Sequence, residues 1–420
     1  MPITKYAKLR WVNYFLLAGL LSFSVSAEHI QENLASPFDN FVSVIEKKEA
    51  DNFALETYLR LKELYREIEK DNVAIHKLWF SAQQLAVFDT FFGEYSQAEE
   101  RQYKVHPGFG RQKSCPIKEL YSHEALSVLP KLIADRQVVL INESHTRIAS
   151  RAFILRILPV LKELGFSVLA MEGLNPHLDL ASIQVLQARG YPLSTGQEGY
   201  YLREPVMGEL VREAITLGFK LLPFDLAGAE NREQREEYQA EVLAEFIGIN
   251  PETKVAIISG YSHIHKTDGW MAERLQQKIS QPILSIDQTS RITGCKHFEA
   301  SSEPYVLLDE KNHPWSALPD NVDFTIIHAP GMDETTNKPA WLRLHGLREP
   351  IDVGNELCNE TWPCLISAYY SDEQADAVPA GLVLLEDASS TAWLYLRTGE
   401  YLIKGINISG DTRHKNLQPN

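Results

Sequence analysis

Cysteine is scarce in this chain, with four in 420 residues and no Cys-x-x-Cys pair among them. That excludes a disulfide-dense mini-scaffold and a thiolate zinc ribbon. After residue 27 no apolar run approaches the roughly 18 residues that a bilayer-spanning helix needs, so stable membrane insertion of the remainder is not expected. A Gly-x-Ser-x-Gly elbow, a Gly-rich phosphate loop and a His-Glu-x-x-His helix are all missing, which argues against a serine hydrolase, a nucleotide-driven enzyme and a zincin. Positive charge is also in short supply: 41 Lys and Arg face 56 Asp and Glu, without a long block of either sign. Nucleic acid and anionic membrane surfaces are therefore disfavoured as partners. What remains is ample for folding, because 44% of the residues are hydrophobic and 10% aromatic. A length of 420 residues corresponds to two or three domains.

Residues 1–27 read as a secretory signal peptide. Lys5, Lys8 and Arg10 precede an apolar run from Tyr14 to Val25, and the small-residue triplet Val25-Ser26-Ala27 offers a cleavage point near Ala27. No cysteine stands at that point, which argues against a lipoprotein. The expectation is an exported protein, periplasmic or secreted and soluble after cleavage. Losing the three basic residues takes the net charge from −15 to −18. In an oxidising compartment Cys115, Cys295, Cys358 and Cys364 can pair, and the closely spaced Cys358 and Cys364 are the favoured couple, although spacing leaves three connectivities open.

Three textures succeed the leader. Residues 28–110 carry a helical pattern, with Tyr58, Leu61 and Leu64 recurring at three-to-four spacing, and the His106-Pro107-Gly108 loop ends it. Over 111–290, short apolar runs at 138–141, 168–171, 219–224, 255–259 and 283–286 alternate with amphipathic stretches at 149–164, 205–217, 231–247 and 269–279. Apolar strands alternating with helices imply an α/β fold with a mainly parallel sheet covered on both faces. Residues 291–420 form a β-rich C-terminal region, with short runs such as 305–308, 324–327, 341–344, 365–370 and 401–408, which either extends the sheet or forms its own layer. The helical N-terminal region is a candidate surface for protein contacts.

In open α/β sheets ligands bind beyond the carboxyl ends of the strands, so the residues just past each run matter. They are Glu143, Ser144 and His145 after the first, Glu172 after the second, Asp225 after the third, Tyr261, Ser262, His263 and His265 after the fourth, and Asp287 after the fifth. Five successive strands thus deliver an ionisable group to one edge. Imidazole with carboxylate serves acid–base hydrolysis, and equally suits a divalent Mn, Co, Zn or Fe ion. The metal-ligand candidates are His145, Glu172 and His263, with His265 and Asp225 as weaker ones. An isolated Asp after a strand is more often a helix N-cap, so Asp225 and Asp287 count only through their coincidence with the others. Arg235 starts from the core side of the 231–247 helix, with Arg232 as its rival, and can orient a carboxylate or stabilise an oxyanion. Arg147 and Arg151 are read either as helix surface or as site walls.

Glu143-Ser144-His145, Glu172 in Ala170-Met171-Glu172-Gly173, the Arg235-Glu236 pair and Gly260-Tyr261-Ser262-His263 together resemble the erythromycin esterase/ChaN-like superfamily, which includes TraB and Tiki proteins. The resemblance covers about residues 120–288. It implies a compact α/β fold with a site built from Glu143, His145, Glu172, Arg235 and His263. Activities implied by the resemblance diverge between lactone hydrolysis by a histidine that activates water, metal-dependent proteolysis and haem binding. The resulting expectation is an exported hydrolase, metal-dependent or not, that cleaves an ester, lactone or amide of a small molecule or peptide. The alternative is a periplasmic haem- or metal-binding protein without turnover.

Overall fold

A computed structural model describes residues 36–47, 54–71, 73–105, 113–115, 119–293, 303–328 and 331–419. The leader at 1–27, the loop at 106–110 and Cys295 lie outside the described residues. Four helices come first: α1 (Pro37–Lys47), α2 (Leu55–Lys70), α3 (Ile75–Phe91) and α4 (Tyr95–Val105). Phe41, Tyr58, Leu61, Leu64, Leu85 and Phe88 form the core shared by α1, α2 and α3. The tight link between α3 and α4 depends on Gly93, whose φ is +77° and whose Cα faces the Leu382 carbonyl so closely that a Cβ would lie 2.9 Å from its oxygen.

The alternating segment continues as β1 (Lys113–Ser114), β2 (Tyr121–Glu124), α5 (Ala125–Ile133), β3 (Val138–Glu143), α6 (Ala149–Glu163), β4 (Phe166–Met171), α7 (Leu180–Arg189), α8 (Pro205–Thr216), β5 (Lys220–Pro223), α9 (Arg232–Ile249), β6 (Lys254–Gly260), α10 (Met271–Lys278), β7 (Ile283–Asp287), β8 (Ile292–Thr293), β9 (Tyr305–Leu308) and β10 (Phe324–Ile327). Eight of these strands form one sheet in the order β2-β9-β10-β7-β3-β6-β4-β5. From β10 to β5 every pairing is parallel, and only the β9 and β2 pairings are antiparallel. The fold is thus α/β with a mainly parallel sheet. Its strands sort their side chains by alternation: Val139, Ile141, Leu169 and Met171 pack against α6 and α8, while Val138, Leu140, Val168 and Ala170 pack against α9 and α10. That double burial is why the runs 138–141 and 168–171 are apolar at every position.

Helix starts obey local chemistry. Asn231 accepts from the Gln234 amide at 2.9 Å to cap α9, and Glu204 accepts from the Val206 and Met207 amides at 2.8 Å, with Pro205 in the first turn of α8. Between β3 and β4, α6 runs on through Pro159.

The region after 290 divides between extending the sheet and forming its own layers. Residues 305–308 and 324–327 join the central sheet, whereas β11 (Glu349–Asp352), β12 (Cys364–Tyr370), β13 (Gly381–Leu385), β14 (Trp393–Leu396), β15 (Tyr401–Asn407) and β16 (Thr412–Leu417) make separate antiparallel sheets. The 341–344 run, expected as a strand, lies instead in 3-10 turns over Ala340–Gly346, with Leu344 and His345 at positive φ. Pro339 just before it lacks the N–H that a ladder would need. Cys358 and Cys364 form a disulfide, and Cys115 is disulfide-bonded as well. No helix among the described residues is long and apolar enough to cross a membrane.

Candidate functional site

Strand order brings the motifs together. β6 lies between β3 and β4, and Glu143 is register-paired with Gly260, so the ends of three strands share one edge. The Glu172 amide donates to the Ile258 carbonyl at 3.0 Å and keeps the residue after β4 level with them.

Two histidine–carboxylate dyads meet at this edge. His145 Nδ1 lies 2.5 Å from Glu143 Oε1, and the Tyr201 ring stacks on the imidazole at 4.2 Å between centroids. Nε2 is left over Gly260, where a Cβ would stand 2.9 Å from it and 3.4 Å from Glu172 Oε2. On the other side, His263 Nδ1 lies 2.8 Å from Glu236 Oε2, and His263 Nε2 is 3.6 Å from Glu172 Oε1. Each imidazole therefore has one nitrogen held by a buried carboxylate and the other turned toward Glu172.

Glu172 is the shared centre. Its Oε2 accepts from the Gly260 amide at 2.5 Å, and its Oε1 accepts from Arg235 Nη2 at 2.7 Å. Arg235 is in turn gripped by Asp225, which accepts from Nε at 2.8 Å and from Nη2 at 2.7 Å, while Gln239 Nε2 donates to the same carboxylate at 2.7 Å. Beneath His145 runs a second line of charge. Arg151, fully buried, donates from Nε to Glu143 Oε2 at 2.8 Å and from Nη1 to Glu204 Oε2 at 3.4 Å.

These contacts set the protonation states. Burial would raise the Glu143 carboxyl, but Arg151 and then His145 outweigh it and hold it at about 2. Burial likewise opposes the charge on Glu172, yet His263, Arg235 and His145, with the Gly260 amide, depress it well below the carboxylate range. His263 moves the other way: burial lowers it, and Glu172 and Glu236 more than compensate, so it holds its proton to higher pH than a free imidazole. Burial leaves His265 below its ordinary value.

The remaining candidates divide by position. Asp225 orients Arg235 instead of facing the cleft as a lone acid. His265 has its Nδ1 3.2 Å from Asn321 Nδ2, outside the Glu172 cluster. Asp287 is buried under Asn142, Thr289 and Ser290, where it organises the turn after β7. Arg232 lies over the Trp270 ring and donates to the Asp268 carbonyl, on the exposed side of α9. Arg151 supports Glu143 from below, and Arg147 lines a cleft beside Ser144. Tyr261 sits at φ +39° with its hydroxyl 3.0 Å from Ser144 Oγ and its ring edge against His145. Glu204 and Tyr201 carry no site signal in the sequence. The only advance sign is for Glu204, since an acid before Pro is a helix-start signal.

The metal expectation meets a different donor set from the one it requires. Among the described residues, no group of three or more His, Cys, Asp or Glu side chains is arranged to hold a metal ion. Both oxygens of Glu172 are committed to protein donors, and the Arg235 guanidinium, with Nη1 3.4 Å from His263 Nε2, already supplies the cation between Glu172, Asp225 and His263. The residues do not fit a divalent ion at this point.

No protein-family model and no curated protein matches the chain. Among solved structures, the type III effector HopBA1 is similar over 51% of this chain and 98% of its own, at 15% identity and a TM-score of 0.35. ChaN of Campylobacter jejuni, described as binding haem cofacially, matches over 51% and 98% at 11% identity and a TM-score of 0.34. RRSP, a MARTX toxin effector domain from Vibrio vulnificus, matches over 68% and 72% at 15% identity and a TM-score of 0.31. The likeness to these structures is a distant one.

Proposed function

We propose that the chain is an exported hydrolase that cleaves an ester, lactone or amide with water activated by His145, without a metal ion. The observation that carries this reading is the pair of dyads: two imidazoles, each anchored at Nδ1 by a buried carboxylate, both turned toward Glu172. Glu172 and Glu143 are held ionised too firmly to take a proton near neutral pH, which leaves an imidazole as the base. His263, whose proton is retained longer, is the acid-side partner. In the reaction, His145 Nε2 takes a proton from water as its oxygen adds to the carbonyl carbon. Protonated His263 and Arg235 stabilise the resulting oxyanion. The proton on His145 then passes to the leaving oxygen or nitrogen as the carbon–heteroatom bond breaks. Export rests on the leader-like residues 1–27, and the Cys358–Cys364 disulfide supports it.

The test is turnover of p-nitrophenyl esters and aminoacyl amides by wild type, His145→Gln and His263→Gln. Loss of about 10²–10⁴ in kcat in both variants is expected. A wild-type protein that turns over none of these and develops a Soret band with haem would replace the hydrolase with the haem-binding alternative.

A further inference from the structure

Over the His145 edge the helical layer forms a roof, and the cleft beneath it contains two unsatisfied polar atoms. One part lies between α3, α4 and the loop after β3, and is lined by Gln84, Gln102, His145, Thr146, Tyr200 and Tyr261. It adjoins a second part that shares Gln102, Thr146 and Tyr261 and adds Arg147, Tyr103 and Thr289. Gln102 is only 6% exposed, and its Oε1 has no hydrogen-bond partner. Arg147 Nη1 is likewise buried without an acceptor, and its Nε stands 3.9 Å from Glu99. An orphaned buried polar atom costs about 1–3 kcal/mol, so two of them lining a cleft beside a candidate base call for a ligand.

The roof is anchored, which keeps Gln102 in place. Arg101 beside it donates to the buried Asp89 on α3 at 2.8 Å, Asp89 also accepts from Tyr58 on α2 at 2.7 Å, and Tyr95 at the start of α4 donates to Glu204 at 3.2 Å. We infer that this roofed cleft is the subsite for the non-reacting arm of the substrate, and that the arm is an acylamino group: Gln102 Oε1 accepts from its N–H and Arg147 donates to its carbonyl. The inference rests on the hydrolytic reading of the His145 edge. It names a substrate class in which an amide lies beside the cleaved carbonyl, in preference to a plain alkyl ester. The orphaned Gln102 Oε1 and Arg147 Nη1 both line the cleft, and an alkyl arm would leave both unsatisfied.

The experiment compares kcat/KM for p-nitrophenyl N-acetylglycinate with that for p-nitrophenyl pentanoate, which has the same chain length. Gln102→Met should reduce the acylamino-to-alkyl ratio about threefold to tenfold relative to wild type, the worth of one neutral hydrogen bond. Arg147→Met should reduce it at least as much. Because Gln102 Oε1 has no protein partner, replacing it strands no other group. Ratios unchanged in both variants would overturn the subsite. Should wild type cleave neither ester, the hydrolytic reading fails by itself, and the subsite is decided by saturation-transfer NMR with N-acetylglycine amide. Transfer to wild type and His145→Gln but not to Gln102→Met upholds it, and no transfer to wild type overturns it.

Discussion

Glu143 serves two partners at once, holding the His145 tautomer with Oε1 and compensating the buried Arg151 with Oε2. Replacing it with Gln should therefore cost activity and stability together. Loss of the charge leaves Arg151 with only the longer Glu204 contact, and uncompensating a buried ion pair costs about 3–5 kcal/mol. For Glu143→Gln the expected outcome is a melting temperature several degrees lower, with kcat down by at least tenfold, measured by calorimetry and ester turnover. The same carboxylate shapes the acid limb of stability. Its value in the folded state, about 2, lies below the ordinary 4.5, so the unfolded chain binds the proton first as the pH falls. That stabilisation, about 3 kcal/mol for a shift of this size, is complete above about 4.5 and is lost as the pH drops toward 2. His263 has the opposite sign, because its raised value makes its contribution complete below 6.5 and lost as the pH rises through its folded-state value. Turnover should accordingly decline on the alkaline side as His263 loses its proton, with a midpoint above 6.5, read from a kcat profile. With Arg235 as the cation of the cluster, dialysis against EDTA should leave kcat within twofold and elemental analysis should find metal far below one ion per chain. Activity restored only by added Mn, Co, Zn or Fe would sink the metal-free mechanism.

At the scale of the elements, the site exists because β3, β4 and β6 end level and close together. Gly260 ends β6 where a side chain does not fit: its Cβ would press on His145, which cannot swing aside while Tyr201 stacks on it and Glu143 holds Nδ1. Gly260→Ala should thus push the imbalance onto the His145 ring, and a displacement near 1 Å is worth about 10²-fold in rate. We expect a large drop in kcat with far-UV circular dichroism unchanged, and an unimpaired enzyme would disprove this reading of the close approach. The strands and the polar residues after them were legible in the sequence, because a strand buried on both faces is apolar throughout and the residues at its carboxyl end reach the ligand-binding edge. Helices α5 and α7 were not legible, nor were β2, β11 and β16, which are largely exposed and carry no apolar run. α7 leaves Leu180 and Val185 exposed, so its apolar residues trace no clear buried stripe. The partners of the site residues were equally hidden. Arg151, Glu204 and Glu236 reach their mates over sequence separations of 8, 53 and 27, and no local spacing encodes such meetings.

Across the whole molecule, the helical layer is the piece whose role the sequence left open, and its packing argues against a detachable module. The core of α1–α3 takes in Leu384 from β13 and packs against Leu365, Tyr200 and Tyr201, so one apolar cluster touches both the C-terminal sheets and the ring that stacks on His145. Polar ties run the same way: Lys62 reaches Glu386, and Tyr95 reaches Glu204 beneath the Glu143–Arg151 pair. A chain lacking residues 36–105 would expose Leu384, Tyr200 and Tyr201 to water and open the roof over the cleft. At about 25 cal/mol per Å² of apolar surface, uncovering even a few such side chains consumes several kcal/mol, comparable with the total stability of a typical domain. The truncated chain is therefore expected to aggregate or to melt without cooperativity, whereas the intact chain should unfold in a transition shared by all three regions. Calorimetry of the full chain beside the truncation checks this. A truncated protein that stays monomeric and melts cooperatively would show instead that the helices are an independent layer, and that the site beneath them is shaped by the α/β sheet alone.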